Sequence, residues 1–318
     1  MLAVRLENGV VSVRKQARPR RPEGFATIRL IYGGICNTDL ELQRGYYGFR
    51  GTPGHEFVGE VVDADAPDWI GQRVVGEINL ACGKCDWCHR GLGRHCPRRT
   101  VLGILQHPGA FREFLTLPLE NLHRVPKNVT DAQAVFVEPL AAASEILDQV
   151  KIPRGASLAV LGDGKLGLLI AQVLRAHGAE VHQYGRHAEK LKIAAAAGVE
   201  TSLVKNDHLP RSQYDWVVDA TGSPEGLRQA VAMTRPRGTV ILKSTVHGLP
   251  RIDTAPVIVN EITLVGSRCG RFEPALQLLR TGRVKVDSLI SETFPLKDAP
   301  RAFRRARTPG VLKILLHA

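Results

Sequence analysis

Four cysteines stand close together with the spacing of a closed metal site: Cys82, Cys85, Cys88 and Cys96. Four thiolates complete a tetrahedral shell around Zn²⁺ and leave no position for a substrate, which is typical of a structural site. We expect Lys84, Arg90 and Arg94 to offset the negative charge of such a centre. Free buried cysteines and a redox Cys-x-x-Cys pair are disfavoured, because the segment is hydrophilic and lacks a thioredoxin-like βαβ pattern.

A second group of metal-binding residue types is dispersed along the chain. Cys36, His55 and Glu138 offer the sulfur, nitrogen and oxygen donors of a zinc site with three protein ligands and one exchangeable position. Each residue alone is more often structural, so the residue types leave the metal-binding and structural interpretations about equally open.

A glycine-rich turn predicts a dinucleotide site. The segment Gly162-Asp163-Gly164-Lys165-Leu166-Gly167 follows an apolar strand over 157–161 and opens a helix over 165–177. In that context the glycines permit a tight turn and a close approach of the cofactor pyrophosphate, which rests on the helix N-terminus.

Two different patterns divide the chain. The first half has short β-like runs separated by turn residues, which indicate an antiparallel, barrel-like domain. A helix over 131–150 follows, with Thr130 as its N-cap. From residue 157 strands alternate with helices, which predicts a doubly wound parallel sheet, and the earlier pattern returns after about residue 284. The strands expected on this basis cover 26–31, 56–62, 73–78, 157–161, 180–184, 215–219, 238–243 and 262–265.

The order of these motifs resembles the zinc-containing medium-chain dehydrogenase/reductase superfamily of alcohol, sorbitol and threonine dehydrogenases. The likeness runs nearly end to end and includes Cys-x-Thr-Asp, Gly-His-Glu, the four cysteines, Glu-Pro-Leu and the glycine turn. It implies an α/β protein with a GroES-like β-barrel catalytic domain over 1–145 and a Rossmann domain over 146–283. Residues 284–318 would return to the catalytic domain.

The resemblance also implies roles for individual residues. Two Zn²⁺ per chain are expected, a structural one on the four cysteines and a catalytic one on Cys36, His55 and Glu138, with Glu56 as an occasional alternative ligand. Thr38 would relay the substrate's hydroxyl proton, and Asp39 would accept the second N–H of His55. Glu41 stands where many family members have a histidine, so the outer proton relay would differ or end in water. The expected cofactor contacts are Gly162, Gly164, Lys165, Leu166, Gly167, Arg186 and Thr221.

These features predict an enzyme that transfers hydride between an alcohol or polyol, or the corresponding aldehyde or ketone, and a nicotinamide dinucleotide. One alternative is a zinc-ribbon protein that binds nucleic acid, and another is a related reductase with a non-alcohol substrate. The first alternative needs one zinc ion per chain, whereas the enzyme needs two. The glycine turn and the dispersed donor set favour the enzyme.

The end of the second Rossmann strand favours NADP over NAD. That strand covers 180–184 and is followed by Gly185-Arg186-His187, without the carboxylate that usually binds the ribose 2′-hydroxyl of NAD. Gly185 leaves room, Arg186 offers a guanidinium for a 2′-phosphate, and Lys190 adds a second charge. We therefore expect NADP as the preferred cofactor, with NAD accepted less well.

Composition sets the remaining expectations. The net charge of +12 is spread over short groups and only 5% of residues are aromatic, so we expect no nucleic-acid partner. No membrane-spanning run or secretion signal is evident, which predicts a cytoplasmic protein without a membrane partner. By analogy with the family we expect a homodimer or homotetramer joined at the edge of the parallel sheet, near 262–265.

Overall fold

Contacts within the chain separate two structural units. The computed structural model describes residues 1–204, 208–245 and 252–318. Unit 1 comprises Met1–Glu138 and Leu289–Ala318, and unit 2 comprises Pro139–Ser288. The boundaries expected from the sequence, after residues 145 and 283, lie a few residues away from these divisions.

None of the described helices is both long and apolar enough to cross a membrane.

The strands and helices follow one another in the order that the sequence pattern indicates. The strands are β1 (Leu2–Glu7), β2 (Val10–Lys15), β3 (Phe25–Gly34), β4 (Glu56–Ala64), β5 (Arg73–Gly76), β6 (Asn79–Leu80), β7 (Thr100–Leu102), β8 (Gln106–His107), β9 (Phe114–Pro118), β10 (Leu122–Arg124), β11 (Ser157–Leu161), β12 (Glu180–Gly185), β13 (Glu200–Leu203), β14 (Tyr214–Asp219), β15 (Thr234–Leu242), β16 (Thr263–Gly266), β17 (Ile290–Pro295) and β18 (Lys313–His317). The α-helices are α1 (Asn37–Gln43), α2 (Asp86–His89), α3 (Asp131–Ala134), α4 (Val137–Gln149), α5 (Lys165–His177), α6 (Ala188–Ala196), α7 (Pro224–Met233), α8 (Ala255–Val259), α9 (Phe272–Arg280) and α10 (Ala299–Ala306).

Strand β3 is the centre of unit 1. The main sheet has the order β10-β5-β4-β3-β18-β17, and β9 also pairs with β3. Strand β3 pairs with β4 along its length. It also pairs with β9 through its first half and with the C-terminal strand β18 through its last residues. All of these pairings are antiparallel except that of β17 with β18. The last strand of the chain therefore lies beside the end of β3.

Two glycines at the end of β3 allow close packing. A Cβ on Gly33 would lie 2.9 Å from the ring of Phe111, which is fully buried. A Cβ on Gly34 would lie 2.7 Å from both the Glu56 carboxylate and the Val135 side chain. Real Cβ atoms do not approach other atoms so closely, so both positions require glycine.

Unit 2 contains the parallel sheet that the alternating pattern predicts. Its strand order is β13-β12-β11-β14-β15-β16 and every pairing is parallel. In chain order within the unit this is 3-2-1-4-5-6, the arrangement of dinucleotide-binding sheets. The order of the strands reverses between β11 and β14, where such sheets bind ligands at their carboxyl ends. Strand β11 and helix α5 begin and end at the residues expected from the sequence.

The single helix expected over 131–150 is instead two helices, α3 and α4. Thr130 caps the first helix as expected, because its hydroxyl accepts the backbone N–H of Gln133 at 3.3 Å. The break has a physical cause in Pro139, near the start of α4, which cannot donate to the carbonyl of residue 135 and would clash with it. The chain turns before that point, and the new helix begins at Val137, with Glu138 in its first turn.

The core of unit 1 yields a stability prediction. Phe303 on α10 is fully buried and meets Phe111 edge to face, with ring centroids 6.1 Å apart. Phe303→Ala should destabilise unit 1 by about 3–5 kcal/mol, because it leaves a cavity and removes this contact. Thermal unfolding should show a clear drop in Tm. The exposed neighbour Arg304→Ala is the control and should change stability by about 0.5 kcal/mol at most; equal effects would contradict the packing argument.

Candidate active site and metal centres

The four cysteines converge as their spacing predicts. All four sulfur atoms lie within 4.8 Å of one another. The separations are 3.5 Å for Cys85–Cys88, 3.7 Å for Cys85–Cys96 and 4.0 Å for Cys82–Cys88. A zinc ion with four sulfur ligands at about 2.3 Å would space those ligands about 3.8 Å apart, so the donor set fits the ion.

The groups that stabilise negative charge on these sulfurs are only partly those expected. The backbone N–H of Lys84 bonds the Cys82 sulfur and lowers the pKa of Cys82 to about 6. Arg98, which the sequence analysis missed, faces Cys82, and the thiolate charge raises the pKa of this arginine. Arg90 lies over the Trp87 ring instead, 5.6 Å from its centroid. Thiolates are therefore stabilised here by a backbone amide and one guanidinium.

The second donor set is assembled by the pairing of β3 with β4. Cys36 follows β3 and caps helix α1, while His55 and Glu56 lie at the start of β4. The register places Gly34 opposite Glu56. One donor atom each of Cys36, His55 and Glu56 lies within 4.8 Å of the others, and the last two residues are buried. A sulfur, a nitrogen and an oxygen donor are thus brought together for a metal ion.

Asp39 supports the two loops that carry this donor set. Its side chain is completely buried and accepts the backbone N–H of Cys36 at 2.8 Å and that of Gly54 at 3.1 Å. Its Oδ1 atom lies 3.6 Å from Nδ1 of His55, which is too long for a hydrogen bond. Burial raises the pKa of Asp39. Asp39 therefore fixes the loops before Cys36 and His55 and places a carboxylate near the imidazole.

Negative groups dominate the surroundings of His55. Burial alone would lower the pKa of His55, but the charges around it, led by Asp39, raise that pKa well above its ordinary value. Glu138, in the first turn of α4, is one of those charges. Its carboxylate stands outside the tight group of donor atoms, which contains Glu56 instead. The structure thus offers two carboxylates near one candidate metal position.

The expected proton-relay residues lie on helix α1. The Thr38 hydroxyl is 3.8 Å from the Cys36 sulfur, so it borders the donor set. Glu41 forms an ion pair with Arg44 on the protein surface. A relay through Glu41 would have to break that pair.

Lys313, on the last strand, is a site residue that the sequence analysis missed. Its ammonium forms an ion pair with Oε2 of Glu56, and both side chains are almost fully buried. The antiparallel pairing of β18 with the end of β3 brings it there. No local motif surrounds Lys313, so only the sheet topology could have revealed it.

The glycine turn of unit 2 has the geometry of a phosphate-binding turn. Gly162 has a φ of +110°, and a Cβ there would lie 2.5 Å from the carbonyl oxygen of Ala220. A Cβ on Gly167 would lie 2.3 Å from the carbonyl oxygen of Gly162. Gly164 caps α5 and faces open space, which leaves room for an anion at the helix N-terminus. Lys165 and Leu166 begin the helix and are half-buried.

Thr221 lies beside this turn, at the end of β14. Its hydroxyl and its backbone N–H both donate to Asp219 Oδ1, at 2.8 and 3.0 Å. The Ser244 hydroxyl donates to the same oxygen at 3.0 Å. The buried Asp219 carboxylate therefore shapes the loops at the carboxyl ends of β14 and β15, next to Gly162.

A carboxylate does reach the end of β12, although none stands there in the sequence. It belongs to Asp163, whose Oδ2 accepts the backbone N–H groups of Arg186 at 2.7 Å and His187 at 2.6 Å. Its Oδ1 lies 3.1 Å from Nδ1 of His187. A Cβ on Gly185 would lie 2.6 Å from this side chain. The room at Gly185, attributed to a phosphate from the sequence, is filled by Asp163.

Comparisons with known proteins agree with this geometry. The family model for the alcohol dehydrogenase GroES-like domain matches residues 22–127, and that for zinc-binding dehydrogenases matches residues 166–281. Sorbitol dehydrogenase of Halalkalibacterium halodurans is 28% identical, over 97% of this chain and 96% of that protein. Alcohol dehydrogenase TADH of Thermus sp. ATN1 is 30% identical, with a TM-score of 0.89 over 100% of this chain and 99% of that one. A zinc-binding dehydrogenase of Sinorhizobium meliloti 1021, solved with NADP, is 28% identical with a TM-score of 0.91 over 100% and 99% of the two chains.

The chain belongs to the zinc-dependent medium-chain dehydrogenase/reductase family. It is therefore an oxidoreductase with a GroES-like domain and a Rossmann-like parallel sheet, and the expectations for family, fold class and enzyme class are confirmed. This membership decides against the zinc-ribbon interpretation.

The contacts of Asp39 predict an effect on metal retention. Asp39→Asn keeps the size of the side chain but removes its charge near His55 and one of the two hydrogen-bond acceptors. Supporting groups of this kind typically contribute 10–100-fold to metal affinity. Competition with a chelator should show that one metal ion per chain is lost about that much more readily, while the metal of the four cysteines is retained. Unchanged retention of both ions would show that Asp39 has no such role.

Proposed function

We propose that this enzyme oxidises a hydroxyl group of a polyol or related alcohol, or reduces the corresponding carbonyl, with NADP as the preferred cofactor. The observation that carries the proposal is the convergence of Cys36, His55 and Glu56, with Glu138 nearby, in a chain that also contains the glycine turn. Relatives along nearly the whole chain are named as polyol dehydrogenases, including a sorbitol dehydrogenase and D-altritol 5-dehydrogenase of Agrobacterium fabrum.

Cys36, His55 and Glu138 would hold the catalytic zinc ion, with Glu56 as a further donor. A zinc ion bound there acts as a Lewis acid that polarises the substrate oxygen and lowers the pKa of an alcohol. The nicotinamide cofactor supplies the hydride acceptor or donor. Thr38 would take the hydroxyl proton of the alcohol while it gives its own proton to water, and Asp39 would hold the loops of Cys36 and His55 through the backbone N–H groups that it accepts. Screening alcohols and carbonyl compounds while following the absorbance of the reduced nicotinamide tests the activity directly.

Variants of the two metal sites should have different effects. Cys36→Ser should abolish turnover and leave the fold intact, because it removes a ligand of the catalytic ion. Cys88→Ser should lower stability or solubility, because a structural zinc ion contributes folding free energy. The zinc content, the Tm and the turnover rate of each purified variant provide the test. Full activity of Cys36→Ser protein with only one zinc ion per chain would refute the catalytic assignment.

NADP preference is proposed on the charges at the end of β12. Arg186 is exposed there and Lys190 follows on α6, so two cations lie near the end of β12, where a 2′-phosphate would be bound. The nearby carboxylate of Asp163 is engaged by two backbone amides and by His187, which limits its use for the ribose 2′-hydroxyl of NAD. The structural relative from Sinorhizobium meliloti was solved with NADP.

Replacement of Arg186 tests this preference. Arg186→Ala should raise the KM for NADP tenfold or more, which corresponds to about 1.4 kcal/mol, and barely change the KM for NAD. Arg228→Ala is a suitable control, since Arg228 lies exposed on α7 and forms an ion pair with Glu225 on the same helix. Equal losses with both cofactors, or a native enzyme that prefers NAD, would contradict the proposal.

We also propose that the enzyme forms a homodimer, or a homotetramer built from such dimers, in the cytoplasm. Strand β16 is an edge of the parallel sheet, and exposed apolar side chains lie on it and on α8: Ile258 at 71%, Val259 at 78% and Leu264 at 38% exposure. An apolar sheet edge of this kind is suited to pairing with a second copy. The described residues contain no disulfide bond, which is compatible with a reducing compartment.

Light scattering at micromolar concentration should show two or four chains per particle. Leu264→Lys should shift the population toward the monomer, because it places a charge in the proposed interface. Val10→Lys, at a 64% exposed position on the β1–β2 hairpin, should leave the assembly unchanged. A monomeric native protein would overturn this assignment.

A further inference from the structure

A buried glutamine contacts the glycine turn of unit 2. Gln183, on β12, is fully buried, and its Nε2 atom donates to the carbonyl oxygen of Gly162 at 2.7 Å. Its Oε1 atom is also buried and has no hydrogen-bond partner among the described residues. A buried oxygen without a partner costs free energy, and an apolar side chain would avoid that cost. The advantage of a glutamine here therefore has to come from its hydrogen bond to Gly162.

Other hydrogen bonds attach the turn to β12 on either side of this contact. The backbone N–H of Gly162 donates to the carbonyl oxygen of Tyr184 at 2.8 Å, and the Asp163 carboxylate accepts two N–H groups that follow β12. The carbonyl of Gly162 lies between these attachments. No backbone N–H donates to it within the part of the chain that the structure describes. The side chain of Gln183 therefore supplies the hydrogen bond that sets the direction of this carbonyl.

The direction of this carbonyl also decides where the next N–H points. The C=O and N–H of a trans peptide group point in opposite directions, so a Gly162 carbonyl that faces Gln183 turns the N–H of Asp163 away from it. That N–H donates to none of the described residues, so it is available to an anion at the N-terminus of α5. Rotation of the peptide group by half a turn would present the carbonyl oxygen to the anion instead. Gly162 offers little resistance to such a rotation, because it has no Cβ.

We propose that Gln183 is a positioning residue that holds the peptide group between Gly162 and Asp163 in the orientation that binds the cofactor pyrophosphate. Its amide opposes the rotated orientation, in which a carbonyl oxygen would face the phosphates. The benefit is the same for NADP and NAD, because both contain the same pyrophosphate. This inference rests on the nicotinamide cofactor of the proposed function, but not on the preference for NADP or on the class of substrate.

Calorimetric titration of the protein with NADP and with NAD tests the proposal without substrate or turnover. Gln183→Met keeps the approximate size of the side chain but cannot donate to Gly162. It should raise the Kd for both cofactors by the same factor, at least threefold, since a hydrogen bond between neutral groups changes an equilibrium about 2–10-fold. Gln172→Met is the matched control, because Gln172 is also buried in unit 2 but its Oε1 atom accepts the N–H of Lys285. It should leave both Kd values within twofold of the native protein, whatever its effect on the Tm.

Gln183→Glu tests the same hydrogen bond within a single variant and remains decisive if Gln183→Met does not fold. Burial raises the pKa of the introduced carboxyl group, so at pH 6 it is protonated and can donate to Gly162. At pH 9 it is ionised, cannot donate, and repels the carbonyl oxygen. Between these pH values the Kd for NAD should therefore rise about tenfold more than in the native protein.

NAD is the probe for this series because it lacks the 2′-phosphate, whose own charge changes near pH 6. A pH dependence equal to that of the native protein would show that Gln183 only fills the core. Equal effects of Gln183→Met and Gln172→Met on the Kd values would lead to the same conclusion. Each comparison uses one cofactor and two forms of the protein, so a wrong assignment of the preferred cofactor or of the substrate would not affect it.

Discussion

The antiparallel pairing of β3 with β4 is the constraint on which the candidate active site depends. Its register sets Gly34 opposite Glu56, so the residues that follow one strand and begin the other converge on one point. The absence of a side chain at Gly34 is part of that register, since a Cβ would collide with the Glu56 carboxylate. Asp39 then ties the loop of Cys36 to that of Gly54. One strand pair and one buried carboxylate thus position a sulfur, a nitrogen and an oxygen donor.

Features whose chemistry is local could be predicted from the sequence. The four cysteines and the glycine turn depend on spacings of a few residues, and the structure brings each set together as expected. Strand β11 and helix α5 were likewise predictable, because an apolar run followed by a glycine-rich turn leaves few alternatives. The expected helix over 131–150 was wrong as one element, since the effect of Pro139 on the turn before it was overlooked.

Features made by distant strands were not predictable in this way. Lys313 is separated from Glu56 by 257 positions, and only the pairing of β18 with β3 joins them. Asp163 shows the same difficulty on a smaller scale. The rule for strand β12 looks for an acid at its own end, whereas parallel pairing with β11 lets an acid of the neighbouring turn occupy that place. A rule based on position in the sequence could not detect it.

The two metal sites differ in the way in which negative charge is balanced. Around the four cysteines a backbone amide and Arg98 stabilise thiolates at the surface, where solvent also screens charge and any one cation contributes little. Around Cys36 and His55 the donors are largely buried, so solvent cannot substitute for a missing cation. The buried site must therefore obtain its balancing charge from the fold itself, and the last strand supplies it through Lys313. Since a buried carboxylate is costly unless it is paired, this contact is what allows Glu56 to lie buried beside Cys36 and His55.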